Sequence, residues 1–490
     1  MPESQLFNNT PFTMTSYSDI PSPMPTLFSE SSEVVSTIEK HRRFFASNAT
    51  KSIDFRLEQL KKLRKAITSN ENRIMEALAT DLNKTGLEAY GTEIAIVLSE
   101  IDVAIKKLKS WAKPKPVSTP MFHFIARSRI YNDPYGVVLI ISPWNYPFQL
   151  LFSPLVGALA AGNCAVLKPS ELTPNVSNIM AEIVKQTFER QYVSLFEGDA
   201  NISQELLEQK YDYIFYTGGT NVGKIVYAAA AKHLTPVTLE LGGKSPCIVH
   251  KDANINISAK RIVWGKLVNA GQTCVAPDYL FVHKSIKHEL IVALKKEITA
   301  MYGENPENSP HLCRIVNDRH LKRLEKLLEC GEIIVGGEVN EQTRYIAPTL
   351  IDIVHPNDPF MQDEIFGPIL PIMDYENLDE VISFINSRPK PLALYVFTQS
   401  NNISSKVLNE TSSGSAAIND TVAHISNGNM PFGGVGDSGI GGYHGKFSFD
   451  TFSHQKSVLF RSTLIDLPLR YAPYKLGEKV LKFLLKHSLD

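Results

Sequence analysis

The run VVLII at Val137–Ile141 constrains the fold more than any other stretch of this chain. It is too short for a helix, rich in β-branched residues and apolar on both faces. Such a run suits a buried strand of a parallel sheet covered by helices. The surrounding chain keeps the same rhythm. Strands are predicted at 165–167, 192–196, 213–216 and 237–239, and helices at 175–190, 201–210 and 221–233. Alternation of this kind predicts an α/β fold with a doubly wound parallel sheet. A second alternating series runs from near Cys247 to about residue 424. Its strands fall near 246–250, 279–283, 333–335, 369–372 and 393–397, and its helices at 255–269, 285–302 and 378–387. Residues 33–113 read as helical. Leu57, Leu60, Leu63 and Ile67 share one face there, with Lys61 and Arg64 on the other, until Pro114 and Pro116 end the run. Residues 118–135 read as an extended ribbon.

The ends differ from the middle. Residues 1–30 hold five prolines and no Lys or Arg, which reads as a disordered polar tail rather than a signal or transit peptide. At 473–488, Leu476, Val480, Phe483, Leu484 and Leu485 interleave with Lys475, Lys479, Lys482 and Lys486. That pattern predicts a short basic amphipathic helix, which either packs over the protein's own substrate opening or rests on a membrane surface. No apolar run reaches the roughly 18 residues that a transmembrane helix needs. Lys plus Arg is 50 against 51 for Asp plus Glu, so charge offers no reason to expect nucleic acid as a partner.

The five cysteines, at 164, 247, 274, 313 and 330, form no C-x-x-C pair and are odd in number. A reducing, cytoplasmic setting fits them better than a disulfide framework. No metal is expected: His288-Glu289 opens like H-E-x-x-H, but Val292 stands where the second His belongs. Most free cysteines are small buried apolar residues. Cys274 differs because of its polar, turn-like setting, Asn269-Ala270-Gly271-Gln272-Thr273-Cys274. Glu240 stands 34 residues upstream in Leu239-Glu240-Leu241-Gly242-Gly243. A thiol and a desolvated carboxylate supply a nucleophile and its general base. Glu240 also reads as a salt-bridged strand-end carboxylate.

Other strings suit a dinucleotide. In Thr217-Gly218-Gly219-Thr220-Asn221-Val222-Gly223-Lys224-Ile225, paired glycines let a backbone approach a ligand, and the following helix aims free N–H groups at an anion. The same loop satisfies G-x-x-x-x-G-K, but Ile225 cannot ligate magnesium, which defeats the P-loop reading. An ordinary strand–helix turn remains the simpler account of a lone Gly-Gly pair. Lys168 ends a strand and Glu171 follows it, placing a carboxylate where open α/β sheets bind ligands; it would accept ribose hydroxyls and repel a ribose phosphate. Ser170 and Glu171 also suit a capped helix start. Ser142-Pro143-Trp144-Asn145-Tyr146-Pro147 is a stiff turn in which Asn145 could donate to an oxyanion. In Asp363-Glu364-Ile365-Phe366-Gly367-Pro368, Glu364 could bind a ribose and Phe366 a flat ring. The string Pro431-Phe432-Gly433-Gly434-Val435-Gly436-Asp437-Ser438-Gly439 implies backbone freedom near a site or an interface.

Over roughly residues 33–460 the chain resembles the NAD(P)-dependent aldehyde dehydrogenase superfamily. It carries SPWNYP, KPSE, FYTGGT, LELGGKSP, GQTC, EIFGP and PFGG in the family's order. The Glu240–Cys274 spacing, the YHGKFSFDTFSH string and RYAPY with the basic helix look most like the class 3 and fatty-aldehyde branch. The resemblance implies that Cys274 attacks the aldehyde carbon and that Asn145 and the Cys274 N–H hold the oxyanion. It implies that Glu240 activates water to release the acid from a thioester. Ser142, Pro143, Trp144, Lys168, Glu171, Gly218 to Gly223, Leu241, Gly242, Glu364 and Phe366 would then meet the cofactor. That cofactor is NAD, with NADP accepted in many relatives of this branch.

The family fold implies a Rossmann-like cofactor domain (31–117 and 136–240), a catalytic domain (241–424), a bridging extension (118–135 and 425–455) and a tail at 456–490. A homodimer is the expected assembly. The expected substrate is a hydrophobic aldehyde: long-chain, aromatic or apocarotenoid. Two other readings carry less of the chain. CoA-acylating relatives usually lack the Glu240 base, and a non-enzymatic scaffold would not need Cys274, Glu240 and Asn145 together.

Overall fold

The computed structural model describes residues 32–120, 123, 125–352, 354–466, 471–473 and 477–486. The expected disordered tail at 1–30 lies outside the described residues. Strands Val137–Ile141, Cys164–Lys168, Tyr213–Thr217 and Val237–Glu240, with Val193–Leu195 at one edge, form a parallel sheet. Its register places Ile141 opposite both Lys168 and Tyr216, and Thr217 opposite Glu240. The carboxyl ends are therefore level. Four motifs that are far apart in sequence leave the sheet along one rim. At the far edge Gly439–Ile440 adds an antiparallel strand beside Val237–Glu240.

A second sheet runs in the order Glu332–Val335, Thr349–Asp352, Ile369–Tyr375, Tyr279–His283, Pro246–Val249, Ala393–Phe397 and Ser415–Ile418. Its first pair is antiparallel and the others are parallel. Thr349–Asp352 and Ser415–Ile418 were not predicted. Neither is a compact β-branched run like VVLII, and each gains its place only from the neighbour it pairs with. The two sheets are the doubly wound α/β pattern read from the sequence. A small antiparallel ribbon joins Lys115–Val117, Ala126–Pro134 and Ser453–Arg461.

The stretch 439–452, expected in the bridging extension, lies against the first sheet. Gly439–Ile440 pairs there, and helix Lys446–Thr451 packs on helix Pro147–Ala161. A Cβ at Gly157 would lie 2.6 Å from Ser448 Cβ, so only a glycine admits this approach. Conversely, 456–461, expected in the tail, completes the ribbon strand. The amphipathic helix spans Gly477–Lys486, with Lys479, Lys482, Phe483 and Lys486 exposed. Among the described residues no helix is long and apolar enough to cross a membrane.

The helical run divides into Glu33–Ala46, Ile53–Ser69, Glu71–Leu82, Gly86–Ala89 and Ala95–Trp111. Leu60, Leu63 and Ile67 are buried, as their spacing requires. A π-helical turn at Tyr90–Ile94 interrupts the run and turns Glu93 into the interior. Such turns often mark functional sites.

His41 is fully buried, with Nε2 2.9 Å from Ser194 Oγ, and burial lowers its pKa to about 4. A depressed imidazole pKa contributes stability above the unfolded value of 6.5, and that stability is lost as pH falls toward 4. The shift corresponds to roughly 3 kcal/mol. His41→Gln is therefore expected to flatten the decline of melting temperature between about pH 6.5 and pH 4. An unaltered decline in a folded variant would refute that assignment.

Candidate active site

Helix Ile255–Leu267 runs into a tight turn, Val268–Gly271, that delivers Cys274. Asn269 (φ 53°) and Ala270 (φ 52°) are left-handed. Each such residue costs on the order of 1 kcal/mol or more unless its surroundings hold it. Here they do. Asn269 N donates to Glu88 Oε1 (2.7 Å), and Asn269 Nδ2 donates to Asn145 O (2.7 Å). Gln272 Nε2 donates to Asn269 O (3.1 Å) and Arg314 O (3.0 Å), while Val316 N donates to Gln272 Oε1 (3.0 Å). The Tyr146 and Thr273 hydroxyls are 2.6 Å apart. Gly271 (φ 74°) is required twice over, because a Cβ there would also sit 2.2 Å from Gly367 O.

Asn145 leaves the rim at the end of Val137–Ile141. Its Nδ2 donates to Gln272 O (3.0 Å), which orients the amide against the cysteine turn. Its carbonyl accepts from Lys84 Nζ (3.0 Å) as well as from Asn269. Lys84 is fully buried, 2.7 Å from the equally buried Glu93, and Glu93 in turn accepts from Gln149 N (2.9 Å). Sequence reading missed Lys84, Glu88, Glu93 and Gln272. Lysines and glutamates in a helical run look like a solvated face, and the π-turn that turns Glu93 inward leaves no periodic trace.

Cys274 is half-buried. Burial pushes its thiol well up, and the Glu364 and Glu240 charges push the same way, while the N–H groups of Cys274 and Val275 oppose them. Glu240 is 3 % exposed, and neither carboxylate oxygen has a hydrogen-bond partner. Burial holds its pKa well above the carboxylate range. The salt-bridged reading of Glu240 does not hold. Glu364 is raised to about 8 by burial and by Asp278, against Lys244. Lys266, buried with an unpartnered Nζ, is lowered to about 8 by burial.

The dinucleotide strings line the same rim. Ser142 N donates to Lys168 O (3.1 Å). Lys168 is buried and donates to Pro169 O (2.6 Å), with Nζ 3.8 Å from the half-exposed Glu171 carboxylate. Pro143 and Trp144 are partly buried beside them. Gly218 leaves no room for a side chain, since a Cβ would meet the Tyr216 hydroxyl at 2.2 Å. Gly219 precedes helix Thr220–Ala231, and Gly223 lies close to Leu241. Asn221 and Val222, in the first helical turn, are exposed. From the second domain, Glu364 reaches Gly242, where a Cβ would fall 2.1 Å from its carboxylate. Phe366 meets Trp144 edge-on at 5.3 Å. The buried hydroxyls of Ser142 and Thr217 lack partners, as do the Glu240 oxygens. Unsatisfied buried polar groups beside a helix N-terminus and a glycine cradle fit a dinucleotide.

Cys274 and Thr273 also form part of the wall of a cavity of about 640 Å³. Its wall is largely apolar and aromatic, with Tyr146, Leu150, Trp264, Tyr302, Val422 and Tyr443 among its members. One cysteine thus borders both a dinucleotide rim and an apolar chamber.

Comparison with known proteins agrees with this geometry. Residues 26–458 match the aldehyde dehydrogenase family. The chain is 53 % identical over 448 residues to a 4,4'-diaponeurosporen-aldehyde dehydrogenase of Staphylococcus aureus, covering 91 % of this chain and 98 % of that one. It is 48 % identical over 434 residues to mouse aldehyde dehydrogenase family 3 member A2, covering 88 % and 90 %. A substrate-bound structure of Staphylococcus aureus AldH superposes with a TM-score of 0.92 at 52 % identity, covering 93 % of this chain and all of that one. The chain belongs to the aldehyde dehydrogenase family of NAD(P)-dependent oxidoreductases.

Proposed function

We propose that this enzyme converts hydrophobic aldehydes to carboxylic acids through covalent intermediates on Cys274. The observation that carries the reading is a thiol on the wall of an apolar chamber, with a buried carboxylate, Glu240, that nothing else engages. Burial disfavours the thiolate, so the proton must be removed as the aldehyde is attacked. Glu240, raised in pKa, accepts it directly or through water. The sulfur adds to the carbonyl carbon, and Asn145 Nδ2 with the Cys274 N–H receives the oxyanion of the thiohemiacetal. A nicotinamide ring held at this rim would supply the acceptor for the hydride. Collapse of the oxyanion as that hydride departs leaves a thioester on Cys274. Glu240, having passed its proton to solvent, takes one from the water that attacks the thioester. The acid leaves and the cysteine is restored.

Lys168 and Glu171 would hold the adenosine ribose of NAD, and Ser142 to Trp144, Gly218 to Gly223, Leu241 and Gly242 would bear on the dinucleotide. Glu364 and Phe366 would position its nicotinamide half. The half-exposed Glu171 favours NAD and leaves NADP a poorer ligand. Long-chain, aromatic or apocarotenoid aldehydes suit the chamber, and the staphylococcal relative's name points to the last. The ribbon strand Ser453–Arg461, with Leu459 and Phe460 exposed, suits a homodimer contact. Helix Gly477–Lys486 would shield the chamber or touch a membrane from the cytoplasmic side.

Glu240→Gln is expected to slow the first-turnover burst of NADH and, because water is a weaker nucleophile than a thiol, to slow the steady state more, by about 10²–10⁴. Intact-mass analysis should then find acyl-Cys274. Full steady turnover in that variant would remove Glu240 as the base. Cys274→Ser should abolish both burst and adduct, and retention of either would end the covalent reading. In the wild type, turnover should rise with pH through a limb above the usual carboxylate range, because burial raises Glu240. Glu171→Gln should raise kcat/KM with NADP relative to NAD several-fold, and an unchanged ratio would dismiss its role.

A further inference from the structure

Among the described residues, Glu88 is the one Asp, Glu, Lys or Arg in the wall of the chamber. It stands in the short helix Gly86–Ala89, next to the π-turn, and is half-buried. Its Oε1 accepts from Asn269 N (2.7 Å) and from Cys313 Sγ (3.2 Å), and neither donor carries a positive charge. No ion pair joins it among the described residues. Lys84, in the preceding turn, is already neutralised by Glu93 at 2.7 Å. Two histidines, His311 and His444, also line the chamber, and His444 Nδ1 is engaged 3.0 Å from Glu100. Burial raises the phenol pKa of Tyr146 and Tyr302, both in the chamber wall, and the Glu88 carboxylate pushes the same way. A carboxylate in an otherwise apolar wall repels a second anion strongly, because little water screens it.

We propose that Glu88 is a charge filter in the substrate chamber: it admits neutral aldehydes and rejects those carrying a second, anionic group, such as ω-carboxylated semialdehydes. The proposal rests on the aldehyde-oxidising reading above and names the substrate class within it. An apolar wall disfavours any carboxylate by desolvation alone. The contribution of Glu88 is therefore the part of the discrimination that disappears with its charge. Glu88→Gln keeps a side-chain oxygen for Asn269 N and removes the charge. A ratio between two substrates cancels any change in how the cysteine turn is braced.

The experiment measures kcat/KM for adipic semialdehyde against hexanal and for azelaic semialdehyde against nonanal, in wild type and Glu88→Gln. The expected result is a semialdehyde-to-neutral ratio well below one in the wild type and raised about tenfold or more, for at least one pair, in the variant. A ratio unchanged by the substitution would show that desolvation alone excludes the anion, and would overturn the filter while leaving aldehyde oxidation intact. Failure of the wild type to oxidise hexanal or nonanal would instead strike the underlying reading.

Discussion

One carbonyl oxygen ties three parts of this protein together. Asn145 O receives Lys84 Nζ from the N-terminal helices and Asn269 Nδ2 from the cysteine turn, while Asn145 itself leaves the rim of the cofactor sheet. The Lys84 charge is matched by Glu93, and both are fully buried. A buried pair of this kind adds little net stability compared with apolar residues, but loss of one partner is severe, typically about 3–5 kcal/mol. Its value lies in geometry. It fixes where the Asn145 amide and the left-handed turn before Cys274 stand relative to each other.

Around that junction the polar groups fall into two kinds. Some are satisfied: Gln272 spends its amide on three backbone groups, and Glu88 binds two donors. Others, Asn269 Oδ1 among them, are not. Glu240, the Ser142 and Thr217 hydroxyls and the Lys266 amine are buried without partners. Buried polar atoms are nearly always paired, and the unpartnered Glu240, Ser142 and Thr217 are what the proposed dinucleotide and reacting carbonyl would need. The same contrast separates the two sides of Cys274: a rim rich in polar groups on one, an apolar chamber with a lone carboxylate on the other.

Much of this was legible beforehand. VVLII announced the sheet, because a run apolar on both faces has few other places to go. The strings around Asn145, Lys168, Gly218, Glu240, Cys274 and Glu364 announced the site, because each pairs a special backbone with a special side chain. Lys84, Glu88, Glu93 and Gln272 were not legible. Nothing in the neighbourhoods of Lys84, Glu88 and Glu93 distinguishes them from surface residues, and they matter through contacts spanning large separations, from Lys84 to Asn145 or from Glu88 to Asn269; Gln272 stands inside GQTC, but its bracing role needs Arg314 and Val316 beside it. The pairing of Gly439–Ile440 with Val237–Glu240 was not legible either, because a two-residue strand carries no periodicity.

The sequence by itself determined the elements, the family and the identities of thiol, carboxylate and amide, since these follow from local composition and short spacing. Tertiary structure alone decided which of them share a rim, which carboxylate is left unpaired and which charge enters the chamber. The reason is physical: strand register and a π-turn set those positions, and burial sets their protonation. Neither is a property of any short stretch of chain.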